Sequence, residues 1–298
     1  MKRKMMSVVM MLVLAAGMAG CGGSSEKEPN LDNAGKKTED KVVKEEEKQE
    51  EEPVELTVFA AASMTETLTE IGGLYEKEHP NVKVSFNFDS SGILKTQIQE
   101  GAACDLFISA GQKQMDQLDS KADAKVNTEG LDFVDQESRI NILENKVTLC
   151  VADGSETGIK TFDDLAEKLK NGNVLMAMGN QDVPVGQYTQ KILDYYELNE
   201  EELAAAGKIS YGSNVKEVTT QISENSVDCG VIYCTDAYSA GITVSDYATA
   251  DMCGQVIYPA SVLKTSEHAE EAQAFLDYLQ TEPCMEIFQK VGFSPVEP

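Results

Sequence analysis

The chain has no tryptophan, two histidines and eight prolines in 298 residues, and its 25 basic side chains are outnumbered by 51 acidic ones. Each shortage excludes something. With His79 and His268 as the whole histidine complement and no Cys-x-x-Cys spacing, a zinc centre lacks its usual ligands. A formal charge of -26 disfavours phosphodiester backbones, whose binding rests on Lys and Arg displacing counterions, so nucleic acid is not an expected partner. Triad-type catalysis lacks a base: His79 precedes Pro80 at the end of a helical period, His268 lies in the polar start of SEHAEEAQAF, and both read as solvated surface residues.

Long apolar runs are scarce too. The first, Met5 to Gly20, follows Lys2, Arg3 and Lys4 and is shorter than the roughly 20 residues that span a bilayer. Residues 1–20 therefore read as an export signal. Met18-Ala19-Gly20-Cys21 resembles a bacterial lipobox, in which the cysteine thiol takes a diacylglycerol; the alternative is ordinary signal cleavage that leaves a spare thiol. Residues 21–53 are a polar, low-complexity stretch ending in KEEEKQEEEP, with almost nothing apolar to bury. A flexible tether of that length reaches roughly 30 Å on average.

The remaining body, 54–298, carries 40 acids and 16 bases and is near the size at which one core gives way to two lobes. Its pattern alternates. Strands are expected at 55–60, 82–88, 105–110, 146–152, 174–179, 229–234 and 255–263, with helices at 64–78, 93–100, 112–120, 162–170, 185–196, 215–224 and 268–280. That order implies an α/β fold with mostly parallel sheets covered on both faces. Cys104, Cys150, Cys229, Cys234, Cys253 and Cys284 permit three disulfides, but their spacing selects no pairing and leaves buried thiols open as the alternative.

Chemistry concentrates where strands hand over to helices. Ser63 with Glu66 has the spacing of a capping box, Ser90 and Ser91 precede a second helix, and Ser109-Ala110-Gly111 forms a third junction. Pro184 stands where a first helical residue belongs, and Asn214 with Glu217 offers another cap. One such junction is an ordinary cap. Several at the carboxyl ends of strands would build an anion site from helix dipoles and N–H donors.

The segments TVFAAASMTETLTEI, FDSSGILKTQI, EGAACDLFISAGQKQMD, QDVPVGQYTQKIL, GVIYCTDAY, YPASVL and EIFQKVGFSP, in this order, resemble the substrate-binding proteins of molybdate ABC importers from about Leu56 to Pro295. The resemblance implies a two-lobed type II periplasmic-binding-protein fold, with lobe 1 formed by 54–143 plus 246–298 and lobe 2 by 144–245. It implies a tetrahedral oxyanion in the cleft, held by Ser63 and Ser91 through hydroxyl and N–H, by the backbone N–H of Ala110, Val185 and Val215, and by the hydroxyl of Tyr233. The family usually has Ala at the position of Val185, which changes the pocket's shape but not the donor. Asp89, close before the serines, would repel a dianion unless its carboxylate is turned away.

The implied protein is a monomer, lipid-anchored through Cys21 to the outer face of the bacterial membrane, that passes molybdate to the permease of an ABC importer. No resident cofactor is implied, and molybdenum is held only as its oxyanion. Tungstate, alike in size and charge, is an expected second guest; sulfate or phosphate would be the guest of a related receptor, and a hydrolase or an adhesive lipoprotein are the readings from other classes. Neutral donors suit a fully ionised dianion, because it offers acceptors only. Hydrogen phosphate carries a proton that would need an acceptor, and leaving it unpaired costs about 1–3 kcal/mol.

Overall fold

The computed structural model describes residues 53–296; the expected export signal, Cys21 and the tether up to residue 52 lie outside the described residues. The body opens with strand β1 (Val54–Ala61), a 3-10 turn over Ala62–Met64 and helix α1 (Thr65–Glu78), then β2 (Val82–Asp89), α2 (Ser91–Gln99), β3 (Leu106–Ile108), α3 (Gln112–Asp116) and β4 (Ile140–Asn145). A second run follows. It comprises β5 (Val147–Val151), α4 (Phe162–Asn171), β6 (Met176–Gly179), α5 (Pro184–Tyr195), α6 (Glu200–Ala205), β7 (Ile209–Gly212), α7 (Val215–Ser223), β8 (Cys229–Tyr233), α8 (Cys234–Ala240) and β9 (Val244–Tyr247). After α9 (Ala250–Cys253), the chain closes with β10 (Val256–Val262), α10 (Ala269–Leu279), α11 (Glu282–Val291) and β11 (Ser294–Pro295).

Two sheets result, ordered β11-β4-β10-β3-β1-β2 and β7-β6-β8-β5-β9. The chain leaves the first sheet at Asn145 and enters the second at Val147, so Lys146 alone links them; it returns between Tyr247 and Val256. The sequence expectation set these crossings at 144 and 246.

The sheets are mixed, not mostly parallel. In the first, β1 pairs in parallel with β2 and β3, while β10 runs antiparallel to both β3 and β4. The second repeats the scheme: β6 is parallel to β7 and β8, while β5 is antiparallel to β8 and β9. The physical reason is the double crossing. A strand that arrives from the other lobe enters its sheet from the opposite end, so β5 and β10 cannot share the direction of the β-α-β units around them.

Each lobe therefore has three parallel strands, β1, β2 and β3 in one and β6, β7 and β8 in the other, whose carboxyl ends carry the junctions described above. Burial holds this frame. Phe107, Phe162, Phe275 and Phe288 are fully buried, each contributing about 1.5–3 kcal/mol of transfer free energy. Helix α4 shows how the sequence sets an element's limits: the Thr161 hydroxyl accepts from the Asp164 N–H at 3.1 Å while the Asp164 carboxylate accepts from the Thr161 N–H at 3.0 Å. Its Phe162, Leu165, Ala166 and Leu169 form the buried face.

The six cysteines from Cys104 to Cys284 are all buried free thiols. Burial pushes Cys150 up to about 11 and Cys229 up to about 12, which keeps both protonated and unreactive.

Candidate functional site

One small cavity collects the strand-end junctions of both lobes. Its lining includes Ser63, Ser91, Ala110, Val185, Val215 and Tyr233, together with Asp89, Ser90, Val183 and Pro184. All six residues expected from the sequence thus face one space. The space between atoms there, counted with its opening to solvent, is about 200 Å³.

The local reasons differ from residue to residue. Ser63 was expected to cap a helix, but it lies within the 3-10 turn, and α1 starts from Met64 with no side-chain cap. Its hydroxyl is instead 2.8 Å from the hydroxyl of Tyr258 on β10, a contact across 195 residues of sequence. Ser90 is the cap of α2, accepting from the Ile93 N–H at 3.3 Å, which leaves Ser91 at the first helical position. The Ser91 hydroxyl accepts from the Ala110 N–H at 2.9 Å. That N–H, expected to serve a guest directly, is thus already engaged, and Ser91 passes its donor capacity on through the hydroxyl proton. Pro184 opens α5, and Asn214 caps α7 by accepting from the Glu217 N–H at 3.0 Å. Val185 and Val215 sit in first turns, where N–H groups have no acceptor within their own helix.

Tyr233 ends β8. It is buried, and its hydroxyl has no hydrogen-bond partner among the described residues. Burial raises its pKa well above the ordinary tyrosine value, with Tyr258 the next cause, so the group stays a protonated donor.

Charge is kept out or tied up. The lining holds no Lys, Arg or His. Asp89 takes the Ser90 N–H at 2.7 Å and the Asn214 amide at 3.1 Å on one oxygen, and the second bond joins the lobes. Lys216, one residue past Val215, is held by Glu66 at 2.8 Å on both carboxylate oxygens and lies 3.3 Å from the buried Asp236. Its charge is consumed within the protein.

Chemically, three α-helix starts, two serine hydroxyls and a buried phenol border a space without fixed cations, groups whose N–H and O–H bonds suit an acceptor-only anion. Among the described residues, the recorded side-chain partner of the Ser63 hydroxyl is a tyrosine and not a histidine or carboxylate. Among the described residues, no group of three or more His, Cys, Asp or Glu is placed to hold a metal ion.

Residues 56–294 match the family described as bacterial extracellular solute-binding protein. The chain belongs to that family. It is 33% identical, over 82% of its length and 88% of the relative's, to YvgL of Bacillus subtilis strain 168, provisionally named an ABC transporter substrate-binding lipoprotein. It is 32% identical, over 80% of its length and 88% of the relative's, to the molybdate-binding protein ModA of Escherichia coli K12. Among solved structures, one provisionally described as the substrate-binding domain of a molybdenum ABC transporter from Clostridium difficile superposes with a TM-score of 0.57 at 31% identity, covering 82% of this chain and all of that one. The family's extracytoplasmic location and two-lobed α/β fold follow for this member.

Sequence reasoning missed Tyr258, Asn145, Lys216 and Asp236, which surround the site without lining it. Tyr258 lies in a quoted segment, YPASVL, but nothing local to that segment marks its hydroxyl as the partner of Ser63.

Proposed function

We propose that this protein captures molybdate outside the cytoplasm and delivers it to an ABC importer, with tungstate as a second guest. The observation that carries the reading is the gathering of strand-end residues from both lobes, Ser63, Ser91 and Ala110 from one and Val185, Val215 and Tyr233 from the other, around one small cavity with no Lys, Arg or His in its lining. The relatives named for molybdate binding support the same guest.

Charge-assisted hydrogen bonds contribute about 1.5–3 kcal/mol each, and six of them offset much of the cost of stripping water from a dianion. Hydrogen phosphate brings a proton to a lining whose one carboxylate, Asp89, is engaged by the Ser90 N–H and the Asn214 amide. Sulfate is smaller, and donors spaced for a larger tetrahedron cannot all reach it. Competitive calorimetric titration with molybdate, tungstate, sulfate and phosphate tests the reading. Molybdate and tungstate should displace each other, and the other two should not displace either; sulfate or phosphate winning the competition would overturn it.

The lipid anchor on Cys21 belongs to the same reading, supported by the lipobox-like segment and by a relative named as a lipoprotein. Cys21→Ser should abolish incorporation of labelled fatty acid; labelling that survives would rule the anchor out.

A further inference from the structure

Behind the cavity, a chain of hydrogen bonds runs from the Ser63 hydroxyl to the peptide that links the lobes. The Asn145 side chain sits at its root, 2% exposed, and its orientation is fixed by obligate donors: its oxygen accepts from the backbone N–H of Lys146 at 2.8 Å and from the Cys234 thiol at 3.2 Å. A backbone N–H can only donate, so the amide cannot be flipped. The Asn145 NH₂ group therefore faces two hydroxyls, Thr235 at 3.0 Å and Tyr258 at 3.0 Å.

The next link follows by elimination. Tyr258 is fully buried, and among the described residues its hydroxyl is hydrogen-bonded only to Asn145 and Ser63. Asn145 offers it a proton, so the phenol's own proton has one acceptor within reach, the Ser63 oxygen at 2.8 Å. The opposite arrangement would leave a buried O–H unpaired. With a lone pair thus occupied, Ser63 turns its own proton toward the cavity.

We propose that Tyr258 and Asn145 are positioning residues that set the polarity of Ser63, making it a donor to the bound anion. The inference rests on the molybdate reading above and adds to it a cause for the Ser63 donor orientation that lies outside the lining. The source of that polarity is the Lys146 N–H, a group whose direction no solution condition reverses.

A double-mutant cycle separates polarity control from general loosening. Using sodium molybdate and calorimetry on the purified protein, Tyr258→Phe should weaken binding about five- to tenfold when Ser63 is present. In the Ser63→Ala background the same substitution should change affinity less than about twofold, since the hydroxyl it acts through is gone. Asn145→Asp, which replaces two donor protons with acceptors, should follow the same pattern and cost at least as much. Equal losses in both backgrounds, or no loss in either, overturn the proposal. If the parent protein fails to bind molybdate, the functional reading itself falls; if it binds and Ser63→Ala weakens it while Tyr258→Phe acts additively, only the polarity relay is lost.

Discussion

Gly92 and Asp182 meet across the cleft. Gly92 is the second residue of α2 in the first lobe, and a Cβ placed on it would stand 2.9 Å from the carbonyl carbon of Asp182 in the second and closer still to its oxygen. Only a glycine lets the two backbones approach this far. The lobes are thus in contact beside the cavity, since Gly92 and Asp182 are the chain neighbours of its lining residues Ser91 and Val183.

Gly92→Ala should therefore hold the lobes apart. The donors of α5 and α7 could no longer reach a guest seated on α2, and molybdate affinity should fall more than about tenfold, the scale of losing one charge-assisted bond. Thermal unfolding of the ligand-free protein should change little, because the atoms nearest the added methyl belong to the opposing lobe. Unchanged affinity would mean that the cleft does not need this approach.

The two serines should differ in their response. Ser63→Ala removes a donor and orphans the buried Tyr258 hydroxyl, whereas Ser91→Ala releases the Ala110 N–H into the cavity as a substitute donor. Ser63→Ala should weaken molybdate binding by about 1–3 kcal/mol and Ser91→Ala by less. Calorimetry on both variants checks the order, and a larger loss at Ser91 would contradict it.

Tyr233→Phe should move stability and affinity in opposite directions. Its hydroxyl is buried without a protein partner, so deleting it relieves a desolvation cost of about 1 kcal/mol or more and should raise the melting temperature of the ligand-free protein. The same deletion removes a donor to the anion and should weaken binding. Parallel losses of stability and affinity would show that the hydroxyl is satisfied within the fold.

Asp236 makes stability depend on pH. It is fully buried, with Lys216 within ion-pair range at 3.3 Å but neither carboxylate oxygen in an aligned hydrogen bond. Burial pushes its carboxyl up from 3.8 to about 6, with Lys216 pulling the other way. An acid whose folded pKa lies above its unfolded one binds more protons when folded, so stability declines as pH rises from 3.8 to about 6 and stays reduced above that. Asp236→Asn should flatten this window, gaining on the order of 1 kcal/mol over the parent at pH near 8 and nothing at pH near 4. Unfolding scans across that range decide it; a variant less stable at high pH would show that the Lys216 pair outweighs burial.

The sequence revealed local relationships and missed distant ones. Pro184 and Asn214 act at helix starts as their chemistry predicts, because a cap is a contact between residues three or four apart. Helix α8 was hidden for the opposite reason: it starts at Cys234 directly after β8, with no turn residue between, so its first residue read as more strand. Strand β7 spans only Ile209–Gly212 and is partly exposed, too short for an alternation to stand out. Helix α11 does carry local signals, Pro283 near its start and Gly292 just past its end. The Ser63 to Tyr258 contact depends on which strand returns beside which, information that is present only in the topology.

Mixed sheets have the same origin. Alternation of strands and helices reports the local β-α-β units, and β1 to β3 and β6 to β8 obey it. Where the chain crosses between lobes, direction is set by the partner sheet, which no window of sequence contains.

The claim that uncharged donors hold a dianion in a strongly acidic protein has a direct electrostatic signature. Without a fixed cation in the cavity, the long-range field of the body only repels the guest, and salt screens that repulsion, with a Debye length falling from about 30 Å at 0.01 M to about 10 Å at 0.1 M. Molybdate affinity measured by calorimetry across that range of sodium chloride should stay level or rise. A steep fall with added salt would place a lysine or arginine on the anion and contradict the account.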